Sequence, residues 1–297
     1  LTQISFDKVT LQDDFWLPRL NTQKQVLVPF ALEKTESAVE NLRRVGAYLR
    51  GEKVTERFVG PYYVASDLFK VMEGAAYLLT LEKDEALEQQ MDEIIDVIAA
   101  AQAPDGYLYE HHILPKHLRN PGNNAGERPY SYVDHSHELY NMGHMYEGAV
   151  AYYQATGKDK LLNAAKKYAD FICSCFGEEE GKIKGYPGHE IAEMALVRLY
   201  EVTNDKKYLD LCNFFLNQRG VRPYYYDDEH PEVVKKGQEQ EERFHYHQAH
   251  KPVRAQDEAV GHAVRAVYLY SGMADAARIN GDEKMWEACE KLWDNIT

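Results

Sequence analysis

The chain has 297 residues, enough for one large domain or two small ones, and with 44% hydrophobic and 28% charged residues it has the composition of a globular protein with a sizeable core. Its 34 Lys and Arg against 48 Asp and Glu give a formal charge of −14, which repels a phosphate backbone and an anionic membrane surface and so argues against nucleic-acid and membrane partners. No apolar run approaches the ~20 residues that span a bilayer, and Leu1 to Gln12 lacks the basic start and continuous apolar stretch of a signal peptide.

Residues 1–15 carry Ile4, Phe6, Val9 and Leu11 in near-alternation, the pattern of a short extended segment laid on a larger body formed by residues 16–297. Helical periodicity dominates from there, beginning with a long predicted helix over Leu20–Arg50. A turn signature then recurs at Thr80 to Asp84, Thr156 to Asp159, Thr203 to Asp205 and Asn280 to Asp282, each between two apolar runs of helical period. These read as helical hairpins, with the Asp capping the second helix and Gly or Asn at the positive-φ position that ends the first. Leu108–Val133 and Gly220–Asp257 read as long binding loops or lids.

The first helices of these hairpins each carry a polar residue near their start: Asp67, His137, His189 and His262. Repeated hairpins that hide one face against their neighbours predict an all-α solenoid or closed ring, here an (α/α)6 toroid. In such a ring, alternate helices line the inside and their starts converge on one mouth. The pattern yields about nine helices where six hairpins require twelve, and the last run reaches Thr297 without a stop signal, so the expected toroid is incomplete in this chain.

All twelve histidines lie between His111 and His262. His135-Ser-His137 with His144 and His245-Tyr-His247 with His250 were the places to look for a metal, but the helical i, i+4 spacing and the H-E-x-x-H motif are missing, and no metal site is expected from this chain alone. His137, His189 and His262 instead form a candidate substrate-binding set, because sugar hydroxyls need convergent donors and acceptors and a neutral imidazole offers one of each. Asp67 and Gln256 complete the set, with tyrosines available to cover the apolar face of a sugar ring. Glu138, Glu190 and Asp257-Glu258 flank the histidines but read as helix-start acids. Cys173, Cys175, Cys212 and Cys289 fall on helical patterns and read as core thiols.

Five strings carry a resemblance: Pro104-Asp-Gly-Tyr-Leu108, Ser136-His-Glu-Leu-Tyr-Asn-Met-Gly-His144, Gly188-His189, Leu199-Tyr-Glu201 and Gly261-His-Ala-Val-Arg265. In order and spacing they resemble the β-L-arabinofuranosidases of glycoside hydrolase family 127 and its relative, family 146. The resemblance implies an (α/α)6 catalytic toroid and a retaining hydrolase that releases β-L-arabinofuranose from plant glycans, in which a zinc-bound cysteine thiolate is the nucleophile and a Glu serves as acid and base. It also implies that His137, His189 and His262 contact the sugar. The family's zinc ligands, nucleophile and acid/base Glu all match beyond Thr297, so the expectation is zinc in the full-length enzyme, none bound by this chain alone, no catalytic residue in this chain, and no hydrolysis by it in isolation. The expected partner is an oligosaccharide or glycoside, and a homodimer is compatible with the sequence. Two alternative readings are a sugar epimerase of the N-acylglucosamine epimerase type, with toroid histidines as acid and base, and a non-catalytic carbohydrate-binding helical toroid.

Overall fold

The computed structural model describes residues 4–233 and 237–297. Regular structure among the described residues is helical, with a single isolated bridge, Phe176 to Ile183, in place of any strand. The residues up to Asn123, with His144–Tyr168, form one unit; Asn124–Gly143 with Ala169–Thr297 form a second.

In the first unit a 3-10 turn at Phe6–Lys8 precedes α1 (Trp16–Thr22), α2 (Val28–Lys34), α3 (Glu36–Leu49), α4 (Ala65–Leu81), α5 (Glu85–Ala100) and the short α6 (Glu110–Ile113). The long helix expected over Leu20–Arg50 is therefore distorted ahead of Pro29 and interrupted once, at Thr35. Pro29 has no N–H to return to the carbonyl of Gln25 and its ring would crowd it, and the preceding turn widens into a π-helix, Gln23–Leu27. At Thr35 the backbone leaves the helix (φ −94°, ψ 6°), and the hydroxyl donates to the carbonyls of Ala31 and Leu32 at 3.1 Å each. α3 packs on α4 and α5 through Ala38, Val39, Leu42 and Val45, all buried, each larger one adding about 1.5–3 kcal/mol of apolar burial. Asp84 caps α5 by accepting from the Leu87 N–H at 3.1 Å.

α7 (Glu138–Thr156) and α8 (Lys160–Cys175) each have residues in both units. The second unit continues with α9 (Ala192–Thr203), α10 (Lys206–Gln218), α11 (Tyr225–Glu229), α12 (Gln238–Tyr246), α13 (Ala263–Asn280) and α14 (Glu283–Ile296). α9 packs against α10 and α13, and α13 against α14. The hairpin turns have the predicted chemistry: Asn204 (φ 56°) and Gly281 (φ 66°) end α9 and α13 in the left-handed region, and Asp205 and Asp282 cap α10 and α14 by accepting from Lys207 and Met285 N–H groups.

Both long loops carry more structure than expected. Leu108–Val133 holds α6 and a 3-10 turn at Lys116–Leu118, and Gly220–Asp257 holds α11, α12 and 3-10 turns at Pro231–Val233 and Val253–Ala255. Of the four cysteines only Cys212 is a fully buried core thiol; Cys173, Cys175 and Cys289 are half-buried.

Candidate functional site

Within the second unit the three helix-start histidines come together. The ring centroids of His137 and His189 lie 5.5 Å apart, and those of His189 and His262 5.8 Å apart. His137 immediately precedes α7, His189 stands three residues before α9, and His262 is the residue that caps α13. Each is half-buried, so the cluster has a protein side and an open side. Tyr140 meets His137 and His189 at 5.5 and 4.2 Å, Tyr268 meets His189 at 6.3 Å, and Tyr246 meets His262 at 5.5 Å.

The backbone is held in uncommon conformations to achieve this. His137 has φ 59° and the buried Ile191 has φ 149°, regions that cost of order 1–3 kcal/mol for a side-chain-bearing residue and persist only when the surroundings over-determine them. Two buried arginines hold the residues just before Ile191. Arg219, fully buried, donates from Nη1 to Glu190 Oε1 (2.7 Å) and the His247 carbonyl (2.8 Å), and from Nη2 to the Pro187 carbonyl (2.7 Å) and Glu193 Oε1 (2.9 Å). Arg265, in the first turn of α13, donates from Nη1 to the Gly188 carbonyl and to His247 Nδ1, both at 2.7 Å. The turn from Pro187 to Glu190 is thus fastened at successive carbonyls, and His189 rides on it.

The hydrogen bonds also assign the proton positions. His189 Nδ1 faces the Glu190 carbonyl at 3.0 Å and His137 Nδ1 the His135 carbonyl at 2.6 Å, so both donate from Nδ1. His262 Nδ1 accepts from the Arg265 N–H across 3.4 Å, which leaves its proton on Nε2 as a donor. Burial, and then the Arg265 cation, push the His189 imidazole down to about 2, so it is neutral at ordinary pH. Burial opposes the Arg219 charge, but Glu190 and Glu193 outweigh it and hold its pKa above the usual value. Burial outweighs the Arg219 and Arg265 charges and pushes Glu190 up to about 7. The cluster therefore sets a neutral His189 between two further imidazoles and beside aromatic faces, an arrangement suited to hydroxyl groups.

The two other predicted site residues have these surroundings. Asp67 is exposed on the first turn of α4, in the first unit, with the Lys70 ammonium 3.6 Å away. Gln256 is buried, and its amide donates to the carbonyls of Gln248 (2.7 Å) and Lys251 (3.1 Å), which pins the loop ahead of α13. Glu138 accepts from the Tyr130 N–H with both oxygens, a structural use of a helix-start acid. Arg219 and His247 were missed from sequence: the first is a lone Arg after an apolar helix, and the second was read only within a metal pair.

Comparison with known proteins decides the lineage. A profile of the β-L-arabinofuranosidase catalytic domain of glycoside hydrolase family 127 matches residues 8–297. The chain belongs to glycoside hydrolase family 127. A family-127 relative, the non-reducing end β-L-arabinofuranosidase of Bifidobacterium longum subsp. longum, is 39% identical over 267 residues, which is 87% of this chain and 38% of that protein. The crystal structure of a family-127 β-L-arabinofuranosidase from Geobacillus stearothermophilus T6 superposes with TM-score 0.87 at 40% identity, over 98% of this chain and 45% of that one. A second family-127 β-arabinofuranosidase structure gives TM-score 0.83 at 45% identity, over 98% and 43%. The chain thus spans about two fifths of the length of the curated relative it matches. The all-helical, hairpin-built architecture expected from the sequence is the one found, shared with these family-127 structures.

The residues present do not fit the zinc that the family resemblance implies. Among the described residues no three His, Cys, Asp or Glu side chains are grouped to hold a metal ion. A zinc-binding thiol should be biased toward thiolate. Burial instead pushes Cys173 up to about 12, Cys289 up to about 11 and Cys212 well above its usual value.

Proposed function

We propose that this chain supplies the sugar-binding part of a retaining β-L-arabinofuranosidase, with His137, His189 and His262 holding the terminal β-L-arabinofuranosyl ring of a plant oligosaccharide. The observation that carries this reading is the convergence of three imidazoles from three separate helix starts at 5.5–5.8 Å. Nε2 of His189 accepts a hydrogen bond from a sugar hydroxyl, Nε2–H of His262 donates to a ring or hydroxyl oxygen, and His137 contacts the same ring. Tyr140, Tyr246 and Tyr268 cover the apolar face of the sugar. The neutrality of His189 suits this binding task, since a charged imidazole would lose its acceptor. The Bifidobacterium relative is named for action at the non-reducing end, and we extend that to this chain: one ring in the histidine cluster, the rest of the glycan outside it.

A bound zinc would keep a cysteine sulfur deprotonated for attack on the anomeric carbon. We place that metal, the nucleophile and the acid/base Glu in a segment outside this chain, a reading supported by the raised thiols and the lack of a grouped ligand set among the described residues. By itself the chain binds the sugar and does not hydrolyse it. Calorimetry with methyl β-L-arabinofuranoside and an assay with p-nitrophenyl β-L-arabinofuranoside test both halves. Binding without turnover is expected; turnover would move the nucleophile into this chain, and no binding would remove the sugar site.

A further inference from the structure

Beside His137, on the loop that leads into α7, the rings continue. His135 lies 6.4 Å from His137 between centroids, Tyr132 lies 5.3 Å from His135 at an interplanar angle of 31°, and His230 lies 4.0 Å from Tyr132. His135 is exposed and Tyr132 half-buried, so this strip contributes little to the core. It is nonetheless held from several sides. Glu229 accepts from the Val133 N–H at 2.6 Å and from the Asp134 N–H at 3.3 Å, although burial pushes its own carboxyl up to about 7. Arg243 bridges Asp134 at 2.5 Å and Asp227 at 3.2 Å. His230 is fixed through both ring nitrogens, to Glu232 at 2.9 Å and to the Ser131 carbonyl at 3.1 Å. The left-handed turn at His137 (φ 59°) sets the His137 ring against His189, while the ring of His135 stays exposed.

The exposed His135 ring, with the half-buried Tyr132 ring tilted against it and 6.4 Å from the His137 ring, has the form of a stacking platform. We infer that Tyr132 and His135 form a second sugar-binding subsite, which takes the ring next to the one held by the histidine cluster, on its reducing side. This rests on the sugar-binding reading of His137, His189 and His262 given above. Ring faces at Tyr132 and His135 stack on the C–H face of the second sugar, and specificity for what is attached to the terminal ring comes from this strip.

The test is calorimetry on the 297-residue chain with two probes, methyl β-L-arabinofuranoside and a β-L-arabinofuranosyl-L-arabinose disaccharide. The wild-type chain should bind the disaccharide more tightly, and in Tyr132→Ala the ratio of the two affinities should fall roughly three- to tenfold, the value of one lost stacking contact. Tyr132→Phe should keep the ratio. His135→Ala, at an exposed position, gives the same readout if Tyr132→Ala fails to fold. An unchanged ratio in both alanine variants overturns the subsite while leaving the histidine cluster intact. Failure of the wild-type chain to bind either probe overturns the sugar reading itself and the subsite with it.

Discussion

Arg219 and Glu190 are both fully buried and joined at 2.7 Å, and the pair fixes the turn that presents His189. The same guanidinium serves Glu193 at 2.9 Å and two backbone carbonyls, so a single residue after α10 organises the approach to α9. An ion pair this deep contributes more to a unique geometry than to net stability, and its removal is felt through what it leaves behind.

Arg219→Met should leave two buried carboxylates without their cation and the His247 carbonyl without its donor, and lower stability by about 3–5 kcal/mol in urea denaturation. A loss under about 1 kcal/mol would mean that the turn is held by Arg265 and packing alone.

The pH dependence of stability should show two opposed contributions. His189 has a folded pKa pushed down to about 2 from 6.5, so its contribution is complete above 6.5 and is lost as pH falls toward the folded value. Glu190 has a folded pKa raised to about 7 from 4.5, so its contribution is complete below 4.5 and is lost as pH rises through 7. Stability profiles of His189→Ala and Glu190→Gln should flatten on the acid and neutral sides respectively; parallel profiles for wild type and both variants would contradict the assignment. The His189 ring resonances should also stay those of a neutral imidazole down to about pH 4.

Gly188 and Gly261 precede two of the site histidines, and each lies against another loop. A Cβ at Gly188 would sit 2.1 Å from the Asp134 carbonyl oxygen, and at Gly261 (φ 74°) 2.1 Å from that of His245. Alanine at either position should destabilise by about 2 kcal/mol or more and weaken sugar binding through displacement of the adjacent histidine. Unchanged melting temperature and affinity would show that the loops give way freely.

His262 has two tasks that substitutions can separate. His262→Asn keeps a side chain that caps α13 well and should leave the melting temperature near wild type, whereas His262→Ala should lose about 1 kcal/mol. Both should weaken binding of methyl β-L-arabinofuranoside by roughly tenfold, the scale of one lost hydrogen bond in a closed site. Equal affinity in the Asn variant and wild type would make His262 a cap and nothing more.

The hairpins were legible because their information is local: an Asp that accepts from an N–H two or three residues on, and an Asn or Gly that tolerates positive φ, act within a single turn. Asp84, Asp205, Asp282, Asn204 and Gly281 all stand where that chemistry requires. The break after Leu20 was not legible, because the apolar period continues across it and only the missing N–H of Pro29 and the hydroxyl of Thr35 interrupt the ladder. The short helices inside the two long loops escaped for a related reason: runs of four to nine residues such as α6 and α12 are too short for a periodic signal.

The sequence by itself determined the helical class, the hairpin boundaries and which three histidines stand at helix starts, since each follows from residue types within a few positions of one another. Only the tertiary structure decided how those histidines meet, which ring nitrogen each presents, and that Arg219 and Arg265 are the residues that hold them. These depend on contacts between residues 18 to 77 positions apart in the chain, such as Arg265 with His247 and with Gly188, and on burial that strips water from His189. Such long-range pairings leave no local pattern, because their energy comes from desolvated charge and backbone carbonyls brought together only once α9, α10 and α13 have packed.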